Sequence, residues 1–332
     1  MIELTIEGSY YDIGYWLGKK IDTYQSSYFS NNFTKEQIDF AYECLKSVKQ
    51  FFPELLHEIQ GIVDGGNLDY DNLLTSEIGM GFHYSCTVFA IPAKYTKNGK
   101  MLFARSMDWF NEAIPYAYIF RIQPEKKYAN LGFTESLTGR LGGINEAGLV
   151  IGDSNCVWSN FQPGLISGAI VRWILDNCKS VQEAVDFLER IPHVIGNNYL
   201  IADTNNIVAR VEAFQRNVVT NYFQDEFTVT ANHYFSSDFD FIANIKPKHS
   251  TDRIDFLYHW INKLSKPVDV KSVKEIQRTH EVELCPHVQE EFNGKIMDLT
   301  TSWAWIHELG SNKVHLCEGS PCKNEYKEYN LQ

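Results

Sequence analysis

A thiol, a guanidinium and a carboxylate occupy positions in this chain where they could act together. Cys86 opens an apolar run over residues 86–90, and a second apolar run that follows Gly99 leads into Arg105 and Asp108. Two runs of strand character separated by a Gly-containing turn predict a β-hairpin. The hairpin would place the nucleophile at the start of one strand, facing the cation and the carboxylate on the other.

The chemistry of these residue types depends on protonation. A thiol with its ordinary pKa of about 8.5 is mostly protonated at neutral pH, whereas the thiolate is the nucleophile. If the chain is cut before Cys86, the new α-amine has a pKa of about 7.7–8.0 and can act as a base near pH 7. We expect Arg105 to lower the pKa of the thiol and Asp108 to orient the amine. The alternative is an inert buried cysteine beside a surface ion pair.

The hairpin resembles the active-site hairpin of the N-terminal-nucleophile (Ntn) thiol amidases, and most closely that of the choloylglycine hydrolase and isopenicillin N acyltransferase-like family. The resemblance covers nearly the whole chain. It implies an α+β fold in which residues 86–332 form a four-layer αββα sandwich. Residues 1–85 would be a mainly helical propeptide that stays bound after self-cleavage between Ser85 and Cys86.

The resemblance also implies further site residues. Asn198, within the run 197–203, matches a family asparagine whose side-chain amide donates to the tetrahedral intermediate, and Asn197 takes that role if the register is off by one. One such donor lowers a barrier by about 2.7–4 kcal/mol. The backbone N–H of Asn155 would complete the oxyanion hole. Arg253 matches a second arginine of the site and is the weakest candidate.

Two other matches are interpreted as structural. Asn145 lies in the Gly-rich run 142–149, which resembles a family signature and predicts a turn between strands. Asn232-His233 also resembles a family segment, and a lone histidine beside aromatic residues is more often structural than catalytic.

Zinc-type ligands occur near the C-terminus, at Cys285, His287, Cys317 and Cys322. Their Cys-x-His and Cys-x4-Cys spacings differ from the usual pair of Cys-x2-Cys motifs. The sequence therefore predicts no metal and no cofactor. It also contains no P-loop, no Gly-x-Gly-x-x-Gly and no His-Glu-x-x-His motif, so nucleotide binding and metalloprotease chemistry lack support.

The elements around these residues change character along the chain. Thr34 and Gln37 form a capping-box pattern that opens a helix, and Pro53 begins another that ends at residues 65–67. Small residues within 8–18 would let a helix pack closely. A last short helix is predicted over 71–79.

Strand-like runs dominate from Cys86 onward, interrupted by two helices that begin at the capping pair Ser180 and Glu183 and near Arg253. The predicted strands cover 116–122, 149–152, 199–202, 207–213 and 227–230. This order of elements favours an α+β layered architecture.

Composition excludes several classes of protein. The chain of 332 residues is 44% hydrophobic and 22% charged, so it can bury a large core. A formal net charge of −12 argues against nucleic-acid or anionic-membrane partners. No apolar stretch approaches 18 residues, and the N-terminus does not have a signal-peptide pattern. With seven unpatterned cysteines, these features predict a cytoplasmic protein with free thiols.

The sequence thus predicts a self-processing cysteine amidohydrolase or acyltransferase that cleaves a linear C–N amide bond of an N-acyl small molecule. The acyl group would pass through a thioester on Cys86 to water or to an amine, and a thioester could also serve as acyl donor. The alternative is a catalytically silent or unprocessed member that binds a small ligand or a partner. The sequence leaves open which acyl and amine groups the substrate carries and whether the acyl group passes to water or to an amine. It also leaves open whether the protein forms a homo-oligomer.

Overall fold

A computed structural model of the chain describes residues 1–20, 33–79, 85–157, 160–242, 246–292 and 294–331. The strands are β1 (Ile2–Gly8), β2 (Ser85–Ile91), β3 (Leu102–Phe110), β4 (Tyr118–Pro124), β5 (Asn130–Thr134), β6 (Gly142–Asn145), β7 (Val150–Val157), β8 (Gly196–Ala202), β9 (Ile207–Phe214), β10 (Asn217–Gln224), β11 (Thr228–Thr230), β12 (His287–Phe292), β13 (Lys295–Glu308), β14 (Lys313–Glu318) and β15 (Tyr326–Asn330). The helices are α1 (Tyr10–Lys20), α2 (Lys35–Phe51), α3 (Glu54–Gly66), α4 (Tyr70–Leu74), α5 (Ser167–Asn177), α6 (Val181–Arg190), α7 (Lys248–Asn262) and α8 (Val270–Gln277). Short 3-10 segments occur at Ala93–Tyr95, Asn111–Tyr116 and Ser237–Ile242, and a π-helical turn at Thr75–Gly79.

The strands form two sheets. The larger has eight strands in the order β1-β4-β5-β6-β7-β8-β9-β10, and the smaller has seven, in the order β11-β2-β3-β13-β14-β15 with β12 paired to β13. Their inner faces share one apolar cluster, to which Val88, Phe103 and Trp305 contribute from one sheet and Phe133 and Leu200 from the other.

Helices cover both outer faces. Helices α1, α2, α3, α5 and α6 pack on the larger sheet, and α7 and α8 pack on the smaller one. In β2, Val88 faces the other sheet while Phe89 faces α7 and α8. Because both faces are covered, the second half of β2, residues 88–91, is a continuous apolar run rather than an alternating one. The predicted α+β four-layer sandwich is confirmed.

Most local predictions agree with the structure. Thr34 Oγ1 accepts from the Gln37 N–H, and the Gln37 side chain accepts from Thr34 in return. Asn67 ends α3 in the left-handed region, with φ of 50°. Ser180 caps α6, but the Glu183 carboxylate accepts from Lys179, so the second box is half formed.

The Gly-rich run 142–149 contains the predicted turn between strands, but its first half is strand β6, which the sequence did not predict. A Cβ on Gly143 would lie 2.3 Å from the Leu131 carbonyl oxygen, so the neighbouring strand approaches too closely for a side chain. The turn follows this strand, where Gly148 has φ of +88°.

The N-terminal segment is helical, as predicted, but it also contains β1, which the sequence interpretation did not separate. β1 pairs in parallel with β4 at the edge of the larger sheet. Its Ile6 and the α1 residues Ile13 and Leu17 are buried in the same cluster as residues from β8 and β9. The division into 1–85 and 86–332 stays a prediction, and the described residues on its two sides pack in one apolar cluster.

Helices α1 and α3 cross with their backbones in direct contact. A Cβ on Gly14 would lie 2.0 Å from the Glu58 carbonyl oxygen, and one on Gly61 would lie 2.3 Å from the Tyr11 carbonyl oxygen. The close packing predicted from small residues is confirmed. None of the helices in the described ranges is both long and apolar enough to cross a bilayer.

Candidate active site

The predicted hairpin of β2 and β3 is confirmed, and it fixes the relative positions of the candidate residues. The strands pair antiparallel, with Ser85 opposite Asp108 and Val88 opposite Arg105. Cys86 lies in the apolar cluster between the sheets, together with Val88. The junction is therefore held within a central strand of the molecule.

The Cys86 sulfur contacts the predicted cation. The Arg105 guanidinium donates to Cys86 Sγ at 3.3 Å. The same side chain donates to the Asp153 carboxylate at 3.0 Å and its carbonyl at 3.1 Å, and it lies over the Trp303 ring at 4.8 Å. Asp153 is a site residue that the sequence did not predict.

Arg105 acts to lower the pKa of the Cys86 thiol, as predicted, but burial outweighs it in the continuous chain, and a lowered thiol pKa in the cut chain stays a prediction. Burial raises the pKa of the Cys86 thiol to about 12, although Arg105 acts in the opposite direction. The carboxylates of Asp153 and Asp108 add to the increase. Burial wins because it disfavours the charged form of the sulfur and because Asp153 already balances the arginine. The uncut chain therefore holds a neutral, sealed thiol.

Asn232 holds the Cys86 nitrogen, and sequence reasoning missed this role. Its Oδ1 accepts from the Cys86 N–H at 3.0 Å and from the Ser85 hydroxyl at 3.2 Å. Its Nδ2 donates to the Asn155 carbonyl at 2.9 Å, and its own N–H donates to Ser250 Oγ at 2.7 Å. The signal was present in the family-like Asn232-His233 pair, where attention went to the histidine.

Arg253, the weakest sequence candidate, reaches the junction from α7. Its guanidinium donates to Ser85 Oγ at 2.9 Å and pairs with the Asp108 carboxylate at 3.2 Å. Thr301 donates to Asp108 at 2.7 Å. Burial raises the pKa of Asp108 to about 6, although Arg253 lowers it. Among the described residues, the Asp108 carboxylate contacts Arg253 and Thr301 while the Cys86 nitrogen contacts Asn232, so orientation of the amine by Asp108 stays a prediction.

The asparagines of β7 and β8 surround Asn232. Asn198 donates through Nδ2 to the carbonyls of Ala231 at 3.1 Å and His233 at 2.9 Å, on either side of Asn232. Asn155, paired with Asn197 across the strands, donates to the Asn197 side chain at 2.6 Å. In the continuous chain these contacts position the Asn232 loop, and the oxyanion roles of Asn198 and Asn155 stay predictions.

The two residues interpreted as structural have structural contacts. Asn145 donates to the carbonyls of Leu175 and Cys178, and its Oδ1 accepts from Leu149. His233 Nδ1 shares a hydrogen bond of 2.7 Å with Ser250. Burial lowers the pKa of His233 to about 4, which keeps the ring neutral at pH 7.

Comparison with known proteins identifies the family and the fold of the chain. The family model of the acyl-coenzyme A:6-aminopenicillanic acid acyl-transferase matches residues 95–323. A search of curated proteins gave no match. A mutant conjugated bile acid hydrolase from Clostridium perfringens superposes with a TM-score of 0.52 at 16% identity, over 74% of this chain and 96% of that one.

Two further solved structures are similar. Penicillin V acylase from Agrobacterium tumefaciens has a TM-score of 0.48 and 19% identity over 70% of this chain and 83% of its own. The Caenorhabditis elegans ortholog of N-acylethanolamine-hydrolyzing acid amidase has a TM-score of 0.48 and 15% identity over 67% and 92%. Since the family model covers more than half of its length, this Ntn-fold chain belongs to the acyl-coenzyme A:6-aminopenicillanic acid acyltransferase family, whose members act on acyl amides.

Proposed function

We propose that this protein is a self-processing cysteine amidase or acyltransferase that cleaves a linear C–N amide bond of an N-acyl small molecule. One observation carries the proposal: separate side chains contact the sulfur and the nitrogen of Cys86 and the hydroxyl of Ser85 at the cleavage junction. Arg105 contacts the sulfur of Cys86, Asn232 its nitrogen, and Arg253 the hydroxyl of Ser85. An inert buried cysteine would need none of these contacts.

The first reaction is cleavage of the chain's own peptide bond. Cys86 Sγ attacks the Ser85 carbonyl carbon, the C–N bond breaks, and the thiol proton passes to the departing nitrogen. Water then hydrolyses the thioester, leaving a carboxylate on Ser85 and a free α-amine on Cys86. Asn232 already contacts the nitrogen that becomes this amine.

The second reaction repeats the same steps on a substrate amide. The α-amine accepts the thiol proton as the sulfur attacks, and it returns the proton to the leaving amine. The acyl-thioester on Cys86 passes to water in a hydrolase or to an acceptor amine in an acyltransferase. Loss of water from the acylated site would favour transfer.

The test is the intact mass of the purified protein beside two single cysteine variants. The wild type should give two fragments, residues 1–85 and 86–332, that co-elute in native size-exclusion chromatography because they share one apolar cluster. Cys86→Ala should remain one full-length chain. Cys44→Ala is the matched control, since Cys44 is also fully buried but lies in α2, and it should still be cut.

Two outcomes would contradict this proposal. A Cys86→Ala chain that is still cut at this bond would implicate an external protease. A wild-type chain that stays whole would favour the unprocessed ligand-binding alternative. For cut protein, amine release from a panel of bile-salt conjugates, penicillins, fatty-acyl amino acids and β-alanyl amines would identify the substrate class.

A further inference from the structure

A second cluster of cysteine and histidine side chains lies apart from the Cys86 nucleophile. His280, Cys285, His287 and Cys322 each offer one ligand atom, and all four atoms lie within 4.8 Å of one another. The first three come from the segment between α8 and the start of β12, and Cys322 comes from the turn between β14 and β15. The fold therefore brings together ligands from two distant segments.

The dimensions of the cluster suit a tetrahedral ion. Zinc bonds of about 2.3 Å to sulfur and 2.0–2.1 Å to nitrogen place neighbouring ligand atoms about 3.3–3.8 Å apart. His287 Nε2 is 3.1 Å from Cys322 Sγ and 4.0 Å from Cys285 Sγ. Side-chain movements of about one ångström would bring the set to coordination distance, and a sulfur and nitrogen tetrahedron is typical of zinc.

The surroundings of the cluster also fit a metal site. His287 Nδ1 faces the Thr300 hydroxyl at 3.4 Å, which leaves Nε2 directed at the thiols. Such a partner on the second ring nitrogen is the usual way to orient a histidine ligand. Thr300 is held in turn by Ser320 at 2.5 Å. Two thiolates would neutralise the charge of a divalent ion, so the buried Cys285 would not face a net charge.

We propose that His280, Cys285, His287 and Cys322 bind one structural zinc ion. The spacing of the sequence motifs predicted no metal, because it grouped Cys317 with Cys322 and did not include His280. In the structure, the Cys317 thiol lies within hydrogen-bonding distance of the carbonyls of Gly319 and Asn324, at 3.5 Å each. The ion would tie the loop after α8 to the C-terminal turn and close a four-ligand site.

Zinc binding would displace protons from the cluster. A thiol must lose its proton to bind a metal. The expected affinity therefore falls as the pH is lowered. This site does not depend on the proposed amidase activity, and its test uses metal content instead.

The experiment measures zinc in tag-free full-length protein produced with added zinc and dialysed against metal-free buffer. Elemental analysis should give about one zinc per chain in the wild type. Cys322→Ser and His287→Asn should lose most of it, whereas Cys317→Ala should keep it. Cobalt substitution should give the strong visible bands of a tetrahedral thiolate site, and chelation should lower Tm by several degrees.

Three results would overturn the proposal: wild-type protein that retains no zinc, Cys322→Ser protein with undiminished zinc, or a Cys285–Cys322 disulfide detected by mass and thiol titration. The disulfide would make the pair a redox cross-link. Cys322 lies in a half-exposed turn, so its variant should fold, and circular dichroism on each variant separates metal loss from unfolding.

Discussion

Asn232 contacts the one nitrogen whose chemistry changes in the proposed cleavage. As an amide N–H this nitrogen donates to Asn232 Oδ1 at 3.0 Å, and as a free amine it would keep the same partner. The side-chain oxygen Oδ1 of Asn232 can therefore orient the α-amine base in the mature enzyme without any rearrangement of the loop. Asn232 is therefore a stronger candidate than its neighbour His233 for a role in positioning the Cys86 amine.

The asparagines should differ in their importance to the reaction. Asn232→Ala should slow self-cleavage about 100-fold, because a small misplacement of a reacting group costs that much. In processed protein, Asn198→Ala should lower kcat by about 10²–10³, as expected for one oxyanion donor, and Asn197→Ala should lose much less. Intact mass measured during cell-free synthesis gives the rate of self-cleavage for each variant, and kcat of the processed chains gives its turnover. Together these two measurements rank the asparagines.

The opposite ranking would have a specific meaning. If Asn197→Ala is the more damaging change, the register of the oxyanion assignment is wrong by one residue. If Asn198→Ala slows self-cleavage in parallel with Asn232→Ala but leaves kcat intact, Asn198 acts by holding the loop through the carbonyls of Ala231 and His233.

Activity should fall on the acidic side as buried carboxylates take up protons. Burial raises the pKa of Asp108 to about 6 and that of Asp153 to about 6. Both are charged above this pH and neutral below it, so Arg253 and Arg105 lose their counter-charges as the pH drops. Protonation of the Cys86 amine also lowers activity as the pH drops. The profile of kcat/KM should therefore show an acidic limb whose apparent pKa values belong to the coupled groups together.

Histidine should not contribute to that limb. His233 is neutral over this range because burial lowers its pKa to about 4, and His287 lies in the zinc-type cluster. His233→Gln and His287→Gln should therefore leave the limb in place. The same is predicted for substitution of His83, which lies outside the described residues. Loss of activity in folded, processed His233→Gln protein would instead indicate a Cys–His dyad.

At the scale of elements, the crossing of α1 and α3 brings the backbones of the two helices into direct contact. Gly61→Ala would gain about 1 kcal/mol of helix propensity. It would also place a methyl group 2.3 Å from the Tyr11 carbonyl oxygen, and such overpacking costs about 1–3 kcal/mol. We expect the clash to dominate, because a backbone atom cannot move aside as a side chain can.

The measurement is Tm of Gly61→Ala beside Gly66→Ala. A Cβ on Gly66 would lie 3.1 Å from its nearest neighbours. This control therefore makes the same Gly→Ala change in α3 with a much weaker steric clash. Gly61→Ala should melt several degrees below wild type and Gly66→Ala close to it. Equal Tm values would show that the two helices can separate at no cost.

Elements with local signals were predictable. The capping residues of α2 and the Gly-containing turn of the hairpin interact with residues only a few positions away. A short stretch of sequence is therefore enough to predict them. Strands β12 to β15 were not predicted, and the pairing of β13 with β3 depends on a segment far along the chain. Arg253 was identified only through the family resemblance, since its contacts with Ser85 and Asp108 depend on how α7 docks on β2.

At the scale of the whole molecule, the order of the sheets could not be predicted from the residues alone. β1 pairs with β4 across more than a hundred residues, and no local pattern specifies such a partner. Family resemblance supplied the four-layer arrangement, and the structure confirms it. Asp153 and His280 were missed for the same reason, since each gains its meaning only from neighbours remote in sequence.

The contacts at the Ser85–Cys86 junction also constrain when the chain can cut itself. Asn232 lies 146 residues beyond Cys86, and Arg253 lies 168 residues beyond Ser85. Contacts of such long range form slowly, and only after most of the chain has been synthesised. A nascent or misfolded chain would therefore keep its bond intact. On the proposed mechanism, the cut acts as an irreversible record of completed folding, and the cut fraction of each variant would report its folding yield inside the cell.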